Sequence, residues 1–411
     1  LGGRAGDVLG RRNMFMAGLT VFTLASLAGG LATSPGILLA ARAVQGVGGA
    51  IATPAVLATI VSSFPEGRER VRALGAFTAV AMGGASLGLV LGGMITQWVS
   101  WRWVFFINVP VGIAVVAATP RLLARTKRLA AKLDLAGALT STAGMSALVY
   151  GFIHAASDGW ANALTVGAFA SAVVLLAAFV LIENRAQEPI TPLWLLRDRS
   201  RSASYVARLL LVCGMFGSFF FLTQFVQEVL HFSPLQAGLA FVPMTGTLLL
   251  MSRLAPRLVP RFGAKPLMVT GLLPVVAGMA WLGHVSTTSS YVPGVLVPML
   301  LLGAGMGLAF VPLTMASLTG VPPQDSGAAA SMVNVMQQVG GTLGLAILVT
   351  IYGSARQSAV SHPVAGLTAV EQARHALVHG MSTAFSAAAV FDVLALLVVL
   401  FLIRIPRTTA S

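Results

Sequence analysis

Ionisable side chains inside apolar runs of this 411-residue sequence could handle protons, Arg42 and Asp392 first among them. Arg42 lies inside the apolar run Leu38-Leu39-Ala40-Ala41-Arg42-Ala43-Val44-Gln45-Gly46-Val47-Gly48-Gly49-Ala50, with Gln45 three residues further on. On a helix that spacing puts the amide beside the guanidinium. A cation inside a membrane span costs about 2.5–3.5 kcal/mol on insertion scales unless it is paired or hydrated. Arg42 then has two readings: a participant in proton transfer, or a side chain that snorkels to the interface about two turns past Pro35-Gly36. Of the twelve acids, Asp392 is the one at the middle of an apolar run. It either exchanges a proton within the membrane or serves packing.

Amides form a second group. Gln224 and Gln227 share one apolar run, and Asn334, Gln337 and Gln338 share another, succeeded by Gly340, Gly341 and Gly344. Such amides bond a neighbouring helix, at about 0.6 kcal/mol each. Alternatively, with Phe216 and Phe220 they line a cavity for an amphipathic organic molecule. Catalytic chemistry finds less support. The lone Cys213 can form neither an internal disulfide nor a cysteine metal site. Glu371, His375 and His379 share a helical face with ligand spacing, but they fit better as an amphipathic surface segment before the last span. No nucleophile elbow or phosphate loop is present, so neither an enzyme nor a metal or other cofactor is expected.

The elements that must position these groups can be derived from composition. With 56% hydrophobic and 9% charged residues, the chain is not a soluble globule. Apolar runs long enough to cross roughly 30 Å of hydrocarbon as helix number twelve. They lie near 14–33, 37–63, 74–97, 103–120, 134–154, 162–182, 203–229, 235–252, 267–285, 291–318, 327–352 and 381–403. The expected fold is an all-α membrane bundle. The formal charge of +14 would suggest nucleic acid in a soluble protein, yet 21 of the 26 Lys and Arg residues fall in alternate connectors and the chain ends. By the positive-inside rule those connectors and both ends of the chain are cytoplasmic, and no nucleic-acid partner is expected. Arg42 and Arg208 fall inside spans.

Landmarks recur about 255 residues apart: Gly10-Arg11-Arg12 against Gly263-Ala264-Lys265, Pro35-Gly36 with Gly49 and Pro54 against Pro293-Gly294 with Gly307 and Pro312, and Gly84/Gly88 against Gly340/Gly344. The bundle therefore consists of two related halves. Two spans precede the basic loop 253–265 but none precedes its first-half counterpart, and the chain begins with Leu1. The expectation is a fragment with about 12 of about 14 helices of a longer parent. Residues 1–120 are then the remainder of a first six-helix half lacking two helices. Residues 121–201 form an inserted helix pair with its linkers, 202–403 a second six-helix half, and 404–411 a tail.

The opening segment puts Gly3, Gly6, Asp7, Gly10, Arg11 and Arg12 into a tight basic turn. It resembles the loop signature G-x-x-x-D-(R/K)-x-G-(R/K)-(R/K) of the major facilitator superfamily, departing from it at Val8. Arg42-x-x-Gln45-Gly46-x-Gly48 resembles the R-x-x-Q-G-x-G motif of that superfamily's drug/proton antiporters. Gly84, Gly88, Gly92 and Gly93 let another helix approach closely. They resemble the antiporter motif G-x-x-x-G-P-x-x-G-G, with Leu89 in place of the proline. The stretch from Trp101-Arg102-Trp103 to Pro110 is similar to the segment after that motif in fourteen-helix members.

The resemblance implies a two-fold pseudosymmetric bundle in the cell membrane, acting as a monomer. It would export hydrophobic or amphipathic drugs, dyes or antibiotics in exchange for protons. Arg42 and Gln45 would couple protons, the Asp7 loop would gate, and a principal carboxylate would lie in a first helix outside this sequence. Uptake by symport, a channel or a membrane-embedded enzyme are the rival classes.

Overall fold

The computed structural model describes Gly6 and residues 9–64, 68–123, 134–186, 193–322 and 325–404. Their order is α1 (Arg11–Gly30), α2 (Pro35–Ser63), α3 (Arg68–Trp98), α4 (Trp103–Phe106), α5 (Asn108–Leu122), α6 (Leu135–Asp158), α7 (Ala163–Arg185), a 3₁₀ turn (Leu193–Leu196) and α8 (Arg199–Gln224). A π-helical turn (Phe225–Val229) extends α8, and then come α9 (Pro234–Ala240), α10 (Val242–Phe262), α11 (Ala264–Leu282), α12 (Leu296–Leu318), α13 (Ser326–Ser361) and α14 (Ala369–Leu402). Among the described residues, eleven helical segments are long and apolar enough to cross a membrane. The 31-residue α3 occupies the place of the remaining expected span.

Side-chain caps start several of these helices. The Ser34 hydroxyl accepts from the Ile37 N–H at 3.3 Å, with Pro35 in the first turn of α2. Asp198 accepts from the Arg201 N–H at 2.7 Å at the head of α8. Ser233 with Gln236 and Thr368 with Glu371 form reciprocal capping boxes on α9 and α14. Glu371 is thus committed to a helix start, and among the described residues no group of three His, Cys, Asp or Glu side chains could hold a metal.

The sequence repeat reappears as repeated packing. A Cβ on Gly18 of α1 would meet the Ala52 nitrogen and the Gly48 oxygen of α2 at 2.7 and 2.8 Å, and one on Gly271 of α11 would meet the Gly305 oxygen and Ala309 nitrogen of α12 at 2.8 and 2.9 Å. The same backbone crossing is built twice. The helix starts agree as well: Gly10 before α1 has φ 95°, and Gly263 before α11 has φ 87°, a left-handed conformation that favours glycine. Pro54 inside α2 likewise matches Pro312 inside α12.

The dense core lies within α8 to α14, around Phe221, Phe225, Phe241, Met268, Leu272, Phe310 and Phe385, all essentially fully buried. In contrast, Leu164, Val173, Val174 and Leu181 on α7 point outward, as side chains that face lipid do. The part before α6 meets the part after α7 where α3 packs on α9 and α10 and where α2 packs on α13. Helix α6 also packs on α13.

One tight seam in the second part joins α8 to α13. Added Cβ atoms would lie 2.6 Å from the Leu209 oxygen at Gly340 and 2.3 Å from the Cys213 Cα at Gly344. Because backbone cannot yield as a flexible side chain can, Gly344→Ala should destabilise by roughly 1–3 kcal/mol, the usual cost of overpacking. The check is the thermal unfolding midpoint of the purified protein, with Gly84→Ala, which has nothing within 4 Å, as the matched control. Equal midpoints for both variants would mean that the seam is looser than its geometry implies.

Candidate functional site

Two polar networks, a lone carboxyl group and a partly open cavity stand out among the described residues. In the first network, Arg42 on α2 donates from Nη1 to the Gln45 Oε1 at 2.5 Å. Gln45 Nε2 donates to the Ser26 Oγ of α1 at 2.6 Å, and Ser26 donates on to the Phe22 carbonyl at 2.8 Å. Gln45 is buried at 4% exposure, whereas Arg42 itself is exposed, with its guanidinium 6.0 Å from the Phe105 ring centre. The i, i+3 spacing therefore does bring Gln45 under Arg42. The partner across the helix gap is Ser26, a contact that spacing within α2 could not reveal.

The second network surrounds Arg208, about two and a half turns inside α8 from the end where the basic connectors cluster. Its Nη1 donates to Thr314 Oγ1 of α12 at 2.8 Å, its Nη2 to Gln337 Oε1 of α13 at 3.0 Å, and the guanidinium lies 5.3 Å from the Phe310 ring centre. It is 6% exposed, and among the described residues its Nε has no partner and no carboxylate reaches it. Sequence reasoning placed Arg208 in a span but gave it no role. The signal was the one used for Arg42, a cation in an apolar run.

Asp392 lies on α14 where α8 passes. It is 0% exposed, neither carboxyl oxygen has a hydrogen-bond partner among the described residues, and a Cβ on Gly214 would come within 2.9 Å of Oδ1. Its mid-span position in the sequence thus becomes a dry, close-packed site facing the backbone of α8. Nothing described in that site compensates an ionised carboxylate.

The two amide clusters, for which a shared cavity is one of the two readings, lie apart. Helices α8 and α13 run side by side in register from Arg208 beside Gln337 to Gly217 beside Leu348. At 1.5 Å per residue, Gln224 is roughly 24 Å further along the seam than the level of Gln337. Gln224 ends α8 and Gln227 sits in the π-helical turn beyond it, both half-buried. Asn334 donates to the Ala330 carbonyl of its own helix at 3.1 Å, and Gln337 serves Arg208. Only Gln338 and Phe216 remain together. They line a cavity of about 650 Å³ whose far wall is α6. Phe220 is not among its lining residues and packs edge-on against Phe221 at 5.1 Å.

The glycine motif is also only partly engaged. Gly84, Gly88 and Gly92 face open space, while a Cβ on Gly93 would meet the Pro234 oxygen of α9 at 2.5 Å. The expected close approach therefore occurs at the last glycine of the motif, among the described residues. In the basic turn, Gly3 and Asp7 lie outside the described residues. Gly6 sits near Arg11, with Cγ 3.5 Å from an added Cβ, and Gly10, Arg11 and Arg12 lead into α1.

Repeated helix crossings, polar networks between helices and a cavity between spans describe a polytopic membrane bundle. Comparison with known proteins agrees. The family model described as Major Facilitator Superfamily matches residues 1–345. Puromycin resistance protein pur8 of Streptomyces alboniger is 42% identical over 356 residues, which cover 85% of this chain and 70% of that protein. Cephamycin export protein CmcT of Amycolatopsis lactamdurans is 40% identical over 86% of this chain and 74% of its own. In fold, the chain is similar to the human organic anion transporter MFSD10, with a TM-score of 0.65 at 17% identity, covering 97% of this chain and 79% of that one. The chain belongs to the Major Facilitator Superfamily and is a multi-pass membrane transporter of small molecules.

Proposed function

We propose that the protein exports small hydrophobic or amphipathic compounds, antibiotics or drugs among them, in exchange for protons across the cell membrane. The halves would open alternately to either side, with the basic connectors and both described ends in the cytoplasm. The observation that carries the proton coupling is Asp392, a carboxyl group in the middle of a span with no ionic or hydrogen-bonding partner among the described residues. Such a group changes its interactions completely on gaining or losing a proton, which is what a coupling site needs. Export as the direction is supported by the relatives named for resistance and export. The Arg42–Gln45–Ser26 chain supplies a second polar path between α1 and α2, and the basic turn ahead of α1 would act as the gating loop.

Everted membrane vesicles carrying the protein test this reading. Imposing an inward-acid proton gradient should drive accumulation of a fluorescent amphipathic dye, and adding dye should in turn move protons. Arg42→Ala, at equal abundance, should reduce dye-driven proton movement by about tenfold, corresponding to ~1.4 kcal/mol lost from coupling. Unchanged coupling would reduce Arg42 to an interfacial anchor. Dye movement in the opposite sense, into right-side-out cells with protons, would replace export by symport.

A further inference from the structure

The cavity beside Phe216 has a wall that the duplicated halves do not supply. Ile153 and Ser157, in the last two turns of α6, face Phe216 of α8 and Gln338, Gly341 and Thr342 of α13 across about 650 Å³. That volume falls within the range of pockets that hold drug-sized molecules, roughly 300–1,000 Å³. Gly341 has no side chain to fill the space, and an added Cβ would lie 3.1 Å from the Phe216 ring, so the ring forms the floor. None of the lining side chains is ionisable. The polar groups are the Ser157 hydroxyl, which donates to the Asp158 carboxylate at 2.6 Å, the Thr342 hydroxyl, which donates to the Gln338 carbonyl at 2.8 Å, and the Gln338 amide. Of these, the exposed Gln338 amide makes no hydrogen bond to another described residue, leaving both its donors and its acceptor free for a ligand.

We infer that this cavity binds an uncharged aromatic amphiphile, with Phe216 against its ring, Gln338 on its one polar group, and the inserted helix α6 as a specificity-determining wall. The inference rests on the export reading above and narrows its substrate class. Charge selection follows from the lining: an ion placed there would leave water for walls with no charged side chain of their own, since Asp158 lies outside the lining with its carboxylate turned to Ser157 and His154. Placement of α6 gives the inserted pair a direct part in substrate choice, which its lack of a repeat partner leaves open. Ser157 and Ile153 lie at the end of α6 remote from the basic connectors, so the site sits from mid-depth toward that far side.

Cysteine protection tests the site without relying on transport. The single native Cys213 is buried, so Ser157→Cys provides the one accessible thiol. In purified protein in lipid nanodiscs, N-phenyl-1-naphthylamine, an uncharged aromatic amphiphile, should slow maleimide labelling of that thiol at least threefold. The cation tetraphenylphosphonium should not, and Val173→Cys on the lipid-facing side of α7 should label equally fast with either compound. Adding Gln338→Leu should remove most of the protection. Failure of protection at Ser157→Cys overturns the inference, and equal protection by the cation overturns its charge selectivity. A separate vesicle assay with the same naphthylamine keeps the two readings apart. Transport without protection sinks the α6 site and leaves export standing, whereas protection without transport supports the site and counts against export of this compound.

Discussion

Asp392→Asn is expected to uncouple the transporter while leaving it folded. The substitution keeps the shape of a side chain that is fully enclosed between α14 and the Gly214 backbone of α8, and removes the ability to take up or release a proton. No described donor points at either carboxyl oxygen, so no hydrogen bond is lost in the exchange. A buried polar group without partners costs about 1–3 kcal/mol, and the amide bears a similar cost. The thermal midpoint should therefore stay close to that of the wild type. In vesicles, proton movement on addition of substrate should fall at least tenfold, about 1.4 kcal/mol or more of coupling. Exchange of labelled for unlabelled substrate across the membrane should persist, because the binding cavity is not touched. Gly214→Ala should act in the same direction, since its Cβ would arrive 2.9–3.0 Å from both carboxyl oxygens. Full proton coupling in Asp392→Asn would make the residue a packing element and move the coupling site elsewhere.

The features legible in the sequence are those a membrane demands. Spans must be long and apolar, so their number and order could be read directly. The repeat was legible because glycine, proline and basic landmarks recur, and the structure shows why two of them matter: Gly10 and Gly263 adopt the same positive φ before equivalent helices. Pairing between distant helices was not legible. A helix immersed in lipid is apolar on every side, so no amphipathic stripe says which face is inward. The stripe Gly84, Gly88, Gly92 and Gly93 signalled a close approach, yet the described structure places that approach at Gly93 against Pro234 alone. For the same reason, spacing could not say which of the five amides meet Phe216 or Phe220 and which bond a helix. Two amides belong to the far end of α8, one serves its own helix, and one serves Arg208, leaving Gln338 with Phe216. The third wall of their cavity comes from α6, a partner that neither periodicity nor the repeat could indicate.

Arg208→Met should give the converse of an ordinary core mutation, retained stability with lost transport. The guanidinium is held by two neutral oxygens, from Thr314 and Gln337, and by the face of Phe310, with its Nε unsatisfied and no described carboxylate within reach. Desolvating a charge without an opposite charge is unfavourable by several kcal/mol, and replacing buried ionic groups by apolar side chains of similar volume is often neutral or stabilising by about 1–4 kcal/mol. Methionine fills the same space beside Phe310 with a flexible apolar stem. Against this gain stand two oxygens that lose donors, at roughly 1–3 kcal/mol each if they stay buried. Gln337 is only half-buried and can turn to another partner, so the balance lies near zero and the unfolding midpoint should change little. Export per folded molecule should nevertheless drop tenfold or more, because the cation that ties α8, α12 and α13 together on one side of the cavity seam is gone. Arg208→Lys should rescue little, since one ammonium cannot span Thr314 and Gln337 as the planar fork does. If Arg208→Met instead unfolds several kcal/mol more easily while the surviving molecules transport normally, the residue is a structural bolt and the second intramembrane cation has no part in transport.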